Sequence, residues 1–182
     1  MKKALLIIDV QNDYFAGGRS ELYNPGAALE NIEKLLCRFR SENMPVIYVQ
    51  HINVREGATF FLPGTNGVLI HETIAPQTGD HVVVKHTPNS LFETNLLNIM
   101  QMNAVHELVI CGMMSHMCVD TTTRACRDFG IPVTLIDDAC ATKNLSWDGQ
   151  IIPAAVVHRV FMAALNGMFA TVMKTDEFLS FR

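Results

Sequence analysis

The sequence predicts an α/β fold, a three-layer sandwich in which a six-stranded parallel sheet is flanked by helices on both faces. Two observations predict it. Short runs rich in Val and Ile are apolar without alternation, as strands buried on both faces are. Stretches with helical signals separate them, and strand–helix alternation implies right-handed crossovers and a parallel sheet.

The strands are expected at 4–9 (ALLIID), 46–50 (VIYVQ), 81–85 (HVVVK), 107–112 (ELVICG), 132–137 (PVTLID) and 170–174 (ATVMK). The first helix starts at Asn24-Pro25, a capping residue followed by proline at the first helical position, and buries Leu29, Ile32, Leu36 and Phe39. The second is expected near Ser90, with Glu93 as its capping-box partner and Leu96, Leu97 and Met100 on its apolar face. The third runs from about Met117 to Phe129 and is closed by Gly130, with Pro132 just beyond. The fourth runs from about Pro153 to Asn166 before Gly167, and TDEFLSF forms a short last one. One irregular stretch, 51–80, is long for a compact domain and is expected to be a lid or an oligomer contact.

A chain of 182 residues suits one domain, 1–182, with a substantial core. A net charge of -4 and the lack of any basic run speak against nucleic acid as a partner. Asp9 interrupts the apolar start after five residues, so MKKALLIIDV is no signal peptide, and no run is long enough for a membrane span. Five cysteines without a C-x-x-C pair favour reduced thiols over disulfides or structural zinc. The expectation is a soluble cytoplasmic protein with no metal and no cofactor.

In open parallel sheets, ligands bind at the carboxyl ends of the strands. The first strand ends in Asp9, the second in His51, the third in Lys85, and the fourth leads through a turn to Cys118. Asp9 is either a turn cap or a catalytic carboxylate. Lys85 is either a lysine snorkelling to water or the partner of a buried carboxylate. Cys118 is either an inert buried thiol or a nucleophile, whose thiolate the helix start would stabilise. The turn GMMSHM before it offers backbone N–H groups for an oxyanion hole. Cys111 and Cys126 read as strand and helix core, Cys140 as a residue of a post-strand loop, and Asp13 as a structural cap. Tyr14, Phe15, Phe60 and Phe61 either line a pocket or pack as core. His51 and His116 read alone as satisfied or solvent-facing histidines rather than metal ligands.

LLIIDVQNDYF (5–15), VVVKHTPNSLFETNL (82–96) and VICGMMSHMCVDTTTRAC (109–126) together resemble the isochorismatase-like cysteine hydrolases, a superfamily that includes nicotinamidases. The resemblance extends through DACAT (138–142) and TDEFL (175–179). GATFFLPGT (57–65) and GMMSHMCV (112–119) are most similar to the streptothricin hydrolase-like branch, which opens a cyclic amide. The resemblance implies strand order 3-2-1-4-5-6 and a triad of Asp9, Lys85 and Cys118. It also implies a cis peptide joining Met113 to Met114, and an oxyanion hole from the Met114 and Cys118 amides. Tyr14, His51, Phe60, Phe61 and His116 are the expected substrate-binding residues. Nicotinamidases hold a metal with an aspartate and histidines after the second strand; His51 and Asn53 stand there in this sequence, so no metal is expected.

The implied activity is cysteine-dependent hydrolysis of a C–N bond in a small amide or cyclic amide. The alternatives are an isochorismatase-type enol-ether hydrolase and a non-hydrolytic redox-sensing or binding protein. A homodimer or homotetramer is expected.

Overall fold

A computed structural model describes residues 2–181. Its main sheet contains β1 (Lys3–Ile8), β2 (Val46–His51), β3 (His81–Lys85), β4 (Glu107–Met113), β5 (Val133–Ala141) and β8 (Thr171–Met173). They are all parallel, in the order β3-β2-β1-β4-β5-β8. The expected order is borne out, with the sixth strand of the sheet being the eighth of the chain. The two extra strands are β6 (Leu145–Trp147) and β7 (Gln150–Ile152), an antiparallel hairpin that sequence reading missed. Its signal was Asp148-Gly149, a dipeptide suited to the positive φ that both residues adopt.

Helices cover both faces. α1 (Pro25–Ser41) and α5 (Thr175–Ser180) lie on one side, α2 (Leu96–Met102), α3 (Asp120–Asp128) and α4 (Ala154–Leu165) on the other. Leu29, Ile32, Leu36 and Phe39 of α1 are buried as expected. Apolar clusters fill both interlayers, and β1, buried from Ala4 to Ile8, contributes to each in alternation.

Four expectations fail for local reasons. Ser90 does not cap a helix: Glu93 takes a positive φ, the chain turns, and α2 starts only at Leu96. Leu97 of that helix is exposed. β3 is not buried on both faces, because it is the edge strand; Val82 and Val84 are exposed while Val83 and Lys85 point inward. Cys140 lies in a strand, not a loop. β5 pairs with β4 at Leu135, bulges, and pairs again at Cys140 and Ala141.

The bulge ends at Gly112, which pairs with Cys140 on one side and with Ile8 of β1 on the other. Gly112 has φ 122, and a Cβ there would strike the Ile8 backbone. Gly112→Ala is therefore expected to destabilise the fold by about 2 kcal/mol or more, since L-residues resist this conformation and β1 would have to shift. Thermal melting checks it; an alanine variant as stable as the wild type would refute the close approach.

Candidate active site

Strand order reverses between β1 and β4, and ligand crevices form outside the carboxyl ends of strands at such a point. Asp9 follows β1 directly. Its positive φ of 52, which aspartate tolerates better than most residues, turns the chain sharply there. Lys85 ends β3 and is turned inward by strand alternation. β4 ends at Met113, and the Met113–Met114 peptide is cis. A π-helical turn, Ser115–Val119, then runs straight into α3 and carries Cys118. The Met117 and Val119 amides donate to the Met114 carbonyl.

Asp9, Lys85 and Cys118 are all buried. Lys85 Nζ lies 2.8 Å from Asp9 Oδ2, an ion-pair contact without the angles of a hydrogen bond, and donates to the Pro88 carbonyl at 3.1 Å. Neither Asp9 carboxylate oxygen has a hydrogen-bond partner. Buried carboxylate lone pairs left this way are costly and call for an explanation, such as a catalytic role or a bound water or ion. One donor atom each from Asp9, His51 and Cys118 lies within 4.8 Å of the other two. Asp9 Oδ2 and His51 Nδ1 are 3.9 Å apart.

Burial, and after it the Asp9 carboxylate, pushes the Cys118 thiol well above the ordinary range; Lys85 opposes this without prevailing. Desolvation thus outweighs the favourable charge of Lys85 and of the helix start. Burial alone would lower Lys85, but the Asp9 carboxylate beside it raises it, so it stays an ammonium ion.

The 51–80 stretch is folded against this edge. Gln11, fully buried, donates to the His51 and Val68 carbonyls and accepts from the His51 amide at 2.8 Å. Asp13 accepts from the amides of Arg19 and Phe61, which makes it the structural cap expected. Phe61 packs against Tyr14, Phe60 and His51, with ring centroids 4.6, 4.9 and 6.0 Å away. Tyr14, His51, Phe60 and Phe61 therefore pack together, with Tyr14 and Phe61 fully buried as core. His116 does not join them: its ring bonds Thr142 Oγ1 and lies edge-on to Phe161.

Sequence reading missed three supports. Gln11 carries no signal beyond its place after a strand-ending aspartate. Ser115 Oγ hydrogen-bonds His158 Nδ1 at 2.8 Å and the Ala141 carbonyl, tying the turn that carries Cys118 to α4 and β5. Thr122 bonds both the amide and the hydroxyl of Ser90, fixing the segment that holds Pro88. At the end of β2, His51 faces Asp9, and Asn53 Oδ1 accepts from the Arg55 amide.

His51, His116 and His158 all titrate below the ordinary histidine value of 6.5, chiefly because burial penalises the cation. Asp9 near His51, Asp120 near His116, and Asp137 and Asp138 near His158 oppose the shift without reversing it. A depressed folded value means stability is full above 6.5 and declines as pH falls below it, because the unfolded chain then binds more protons. Melting temperature is expected to drop on acidification from pH 7 toward 5; replacing His158 with glutamine should flatten part of that slope.

Residues 3–177 match the isochorismatase domain. The isochorismatase family protein YddQ of Bacillus subtilis is 50% identical over 179 residues, covering 98% of this chain and 99% of its own. A streptothricin hydrolase of Streptomyces noursei is 32% identical over 171 residues, covering 90% of this chain and 59% of its own. A solved structure from Oleispira antarctica, 43% identical, superposes with a TM-score of 0.94 over 98% of this chain and 96% of that one. With the domain match running from β1 into α5, this chain belongs to the isochorismatase family of hydrolases.

Proposed function

We propose that the protein is a cysteine-dependent hydrolase that cleaves a C–N bond of a small amide or cyclic amide through a thioester. The observation that carries this reading is the meeting of three groups from separate elements: the Asp9–Lys85 pair at 2.8 Å, with the Cys118 thiol within 4.8 Å of the carboxylate. The family relationship and the streptothricin hydrolase relative support it.

Cys118 starts as a neutral thiol, so its proton must leave as attack begins. Asp9, with unpartnered oxygens, takes it, and Lys85 balances the charge on both. Sulfur bonds to the carbonyl carbon, and the oxyanion is received by the Met114 and Cys118 amides; losing one such donor typically costs about 3–4 kcal/mol of barrier. Protonated Asp9 then gives its proton to the departing nitrogen. Water, deprotonated by Asp9, releases the acid from the thioester and restores the thiol. In this reading His51 and Phe60, backed by the buried rings of Tyr14 and Phe61, form the wall against which the substrate lies.

Five free thiols fit a reducing, cytoplasmic setting, and among the described residues no helix is long and apolar enough to cross a membrane. A homodimer or homotetramer is part of the reading. Trp147, Ile151, Val156 and Val160 give the hairpin and α4 an exposed apolar surface. Sedimentation of a monomer at high concentration would contradict it.

Intact-mass spectrometry after brief incubation with pooled small amides and lactams tests the chemistry. The expected result is an added acyl mass that peptide mapping assigns to Cys118. Turnover of a substrate with the mass never changing under rapid acid quench, and with no thioester trapped by hydroxylamine, would overturn it.

A further inference from the structure

We propose that Asp9, His51 and Cys118 form a binding site for a soft divalent cation, zinc above all, and that occupation of this site switches the thiol off. The site is built from three elements: the residue after β1, the last residue of β2 and the turn after β4. A carboxylate oxygen, an imidazole nitrogen and a sulfur lie within 4.8 Å of one another. These are ligand types that zinc takes in tetrahedral sites, at about 2.0 Å to nitrogen and oxygen and about 2.3 Å to sulfur. Tetrahedral geometry would then place the donors about 3.3–3.6 Å from each other. Asp9 Oδ2 and His51 Nδ1 are 3.9 Å apart, and the Cys118 sulfur, within 4.8 Å of both donors, would close by up to about 1.5 Å.

A second observation points the same way. The Asp9 side chain is fully buried, yet neither of its oxygens has a hydrogen-bond partner. Lys85 Nζ sits 2.8 Å from Oδ2, which leaves Oδ1 as the oxygen open to a cation that binds directionally. The third ligand is held in place from behind, since Gln11 fixes both the amide and the carbonyl of His51. A fourth position is left for water.

Lys85 also sets the strength of the site. Its ammonium group, 2.8 Å from Asp9 Oδ2, repels a second cation, so the metal is a reversible occupant rather than a resident one. Binding breaks the Cys118 S–H bond and forms a metal–sulfur bond; the proton passes to solvent, and nothing is oxidised or reduced. The thiol is then unavailable to any electrophile. The inference therefore does not need the amide reading, and its test reads metal binding instead of turnover.

Cobalt(II) is the probe, because its thiolate complexes absorb by sulfur-to-metal charge transfer. Titrating the reduced wild-type protein is expected to give that absorption, saturating at one cobalt per chain and reversed by zinc. Cys118→Ser should abolish the band, and His51→Asn should weaken affinity at least tenfold, each with an unchanged circular dichroism spectrum. Should the serine variant fail to fold, His51→Asn alone decides. No charge-transfer band in the wild type, a band retained in Cys118→Ser, or unchanged affinity in His51→Asn would each overturn the proposal; a retained band would place the cobalt on another thiol, such as exposed Cys37.

Discussion

Cys118→Ala is expected to abolish amide hydrolysis, by on the order of 10⁴-fold or more, as loss of a covalent nucleophile generally does. The fold should survive. Cys118 is buried against the apolar cluster between the sheet and α3, and removing one sulfur there leaves a small cavity costing roughly 1 kcal/mol. Circular dichroism and melting would report that directly, so a dead variant is not mistaken for an unfolded one. The same variant separates the competing chemistries. An enol-ether hydrolase using Asp9 as an acid would keep most of its rate without the sulfur. A redox protein would show no amide turnover in the wild type and a thiol reversibly lost to peroxide. For that role Cys111 is a poor disulfide partner: it belongs to the apolar cluster on the opposite face of the sheet, with its sulfur toward the Leu6 carbonyl.

Lys85→Met is expected to cost about 3–5 kcal/mol of stability as well as nearly all activity, because it strands the Asp9 carboxylate in a buried site without a counter-ion. The double variant Asp9→Asn with Lys85→Met should recover most of the lost stability and none of the activity. The reason is that a buried ion pair contributes little net stability against neutral side chains of similar size, whereas half a pair is costly. Denaturant melts of the two single variants and the double variant give the coupling energy. A loss in the double variant equal to the sum of the two single losses would show that the pair is not coupled. A Lys85→Met protein as stable as the wild type would show that Asp9 does not need its partner. The pairing also accounts for where these residues stand. Lys85 is on the edge strand, with exposed Val82 and Val84 on either side of inward Val83, and only its position at the strand end brings it to Asp9.

Much of the fold was legible in the sequence because burial on both faces leaves a direct signature. ALLII and VIYV had to be central strands, and Leu29, Ile32, Leu36 and Phe39 had to be one face of a helix. Edges and irregularities were less legible. HVVVK looks as apolar as a central strand, since nothing in five residues says which neighbour is missing. The β5 bulge and the Glu93 turn follow from pairing and packing with distant segments, which override local preference.

For the site, the sequence by itself determined which polar residues end the apolar strands, and hence that Asp9, Lys85 and the turn before Cys118 share one edge of the sheet. Motif resemblance then joined them into one hypothesis. Only the tertiary structure decided their state. The raised Cys118 thiol, the unpartnered Asp9 oxygens and the approach of His51 all depend on what surrounds each atom in space. Desolvation and Coulomb energy are functions of distance and of excluded water, and the elements that exclude water here come from the 51–80 stretch, the β4–α3 turn and the Ser90 segment. A one-dimensional pattern places charges on strands; it does not say how dry they are.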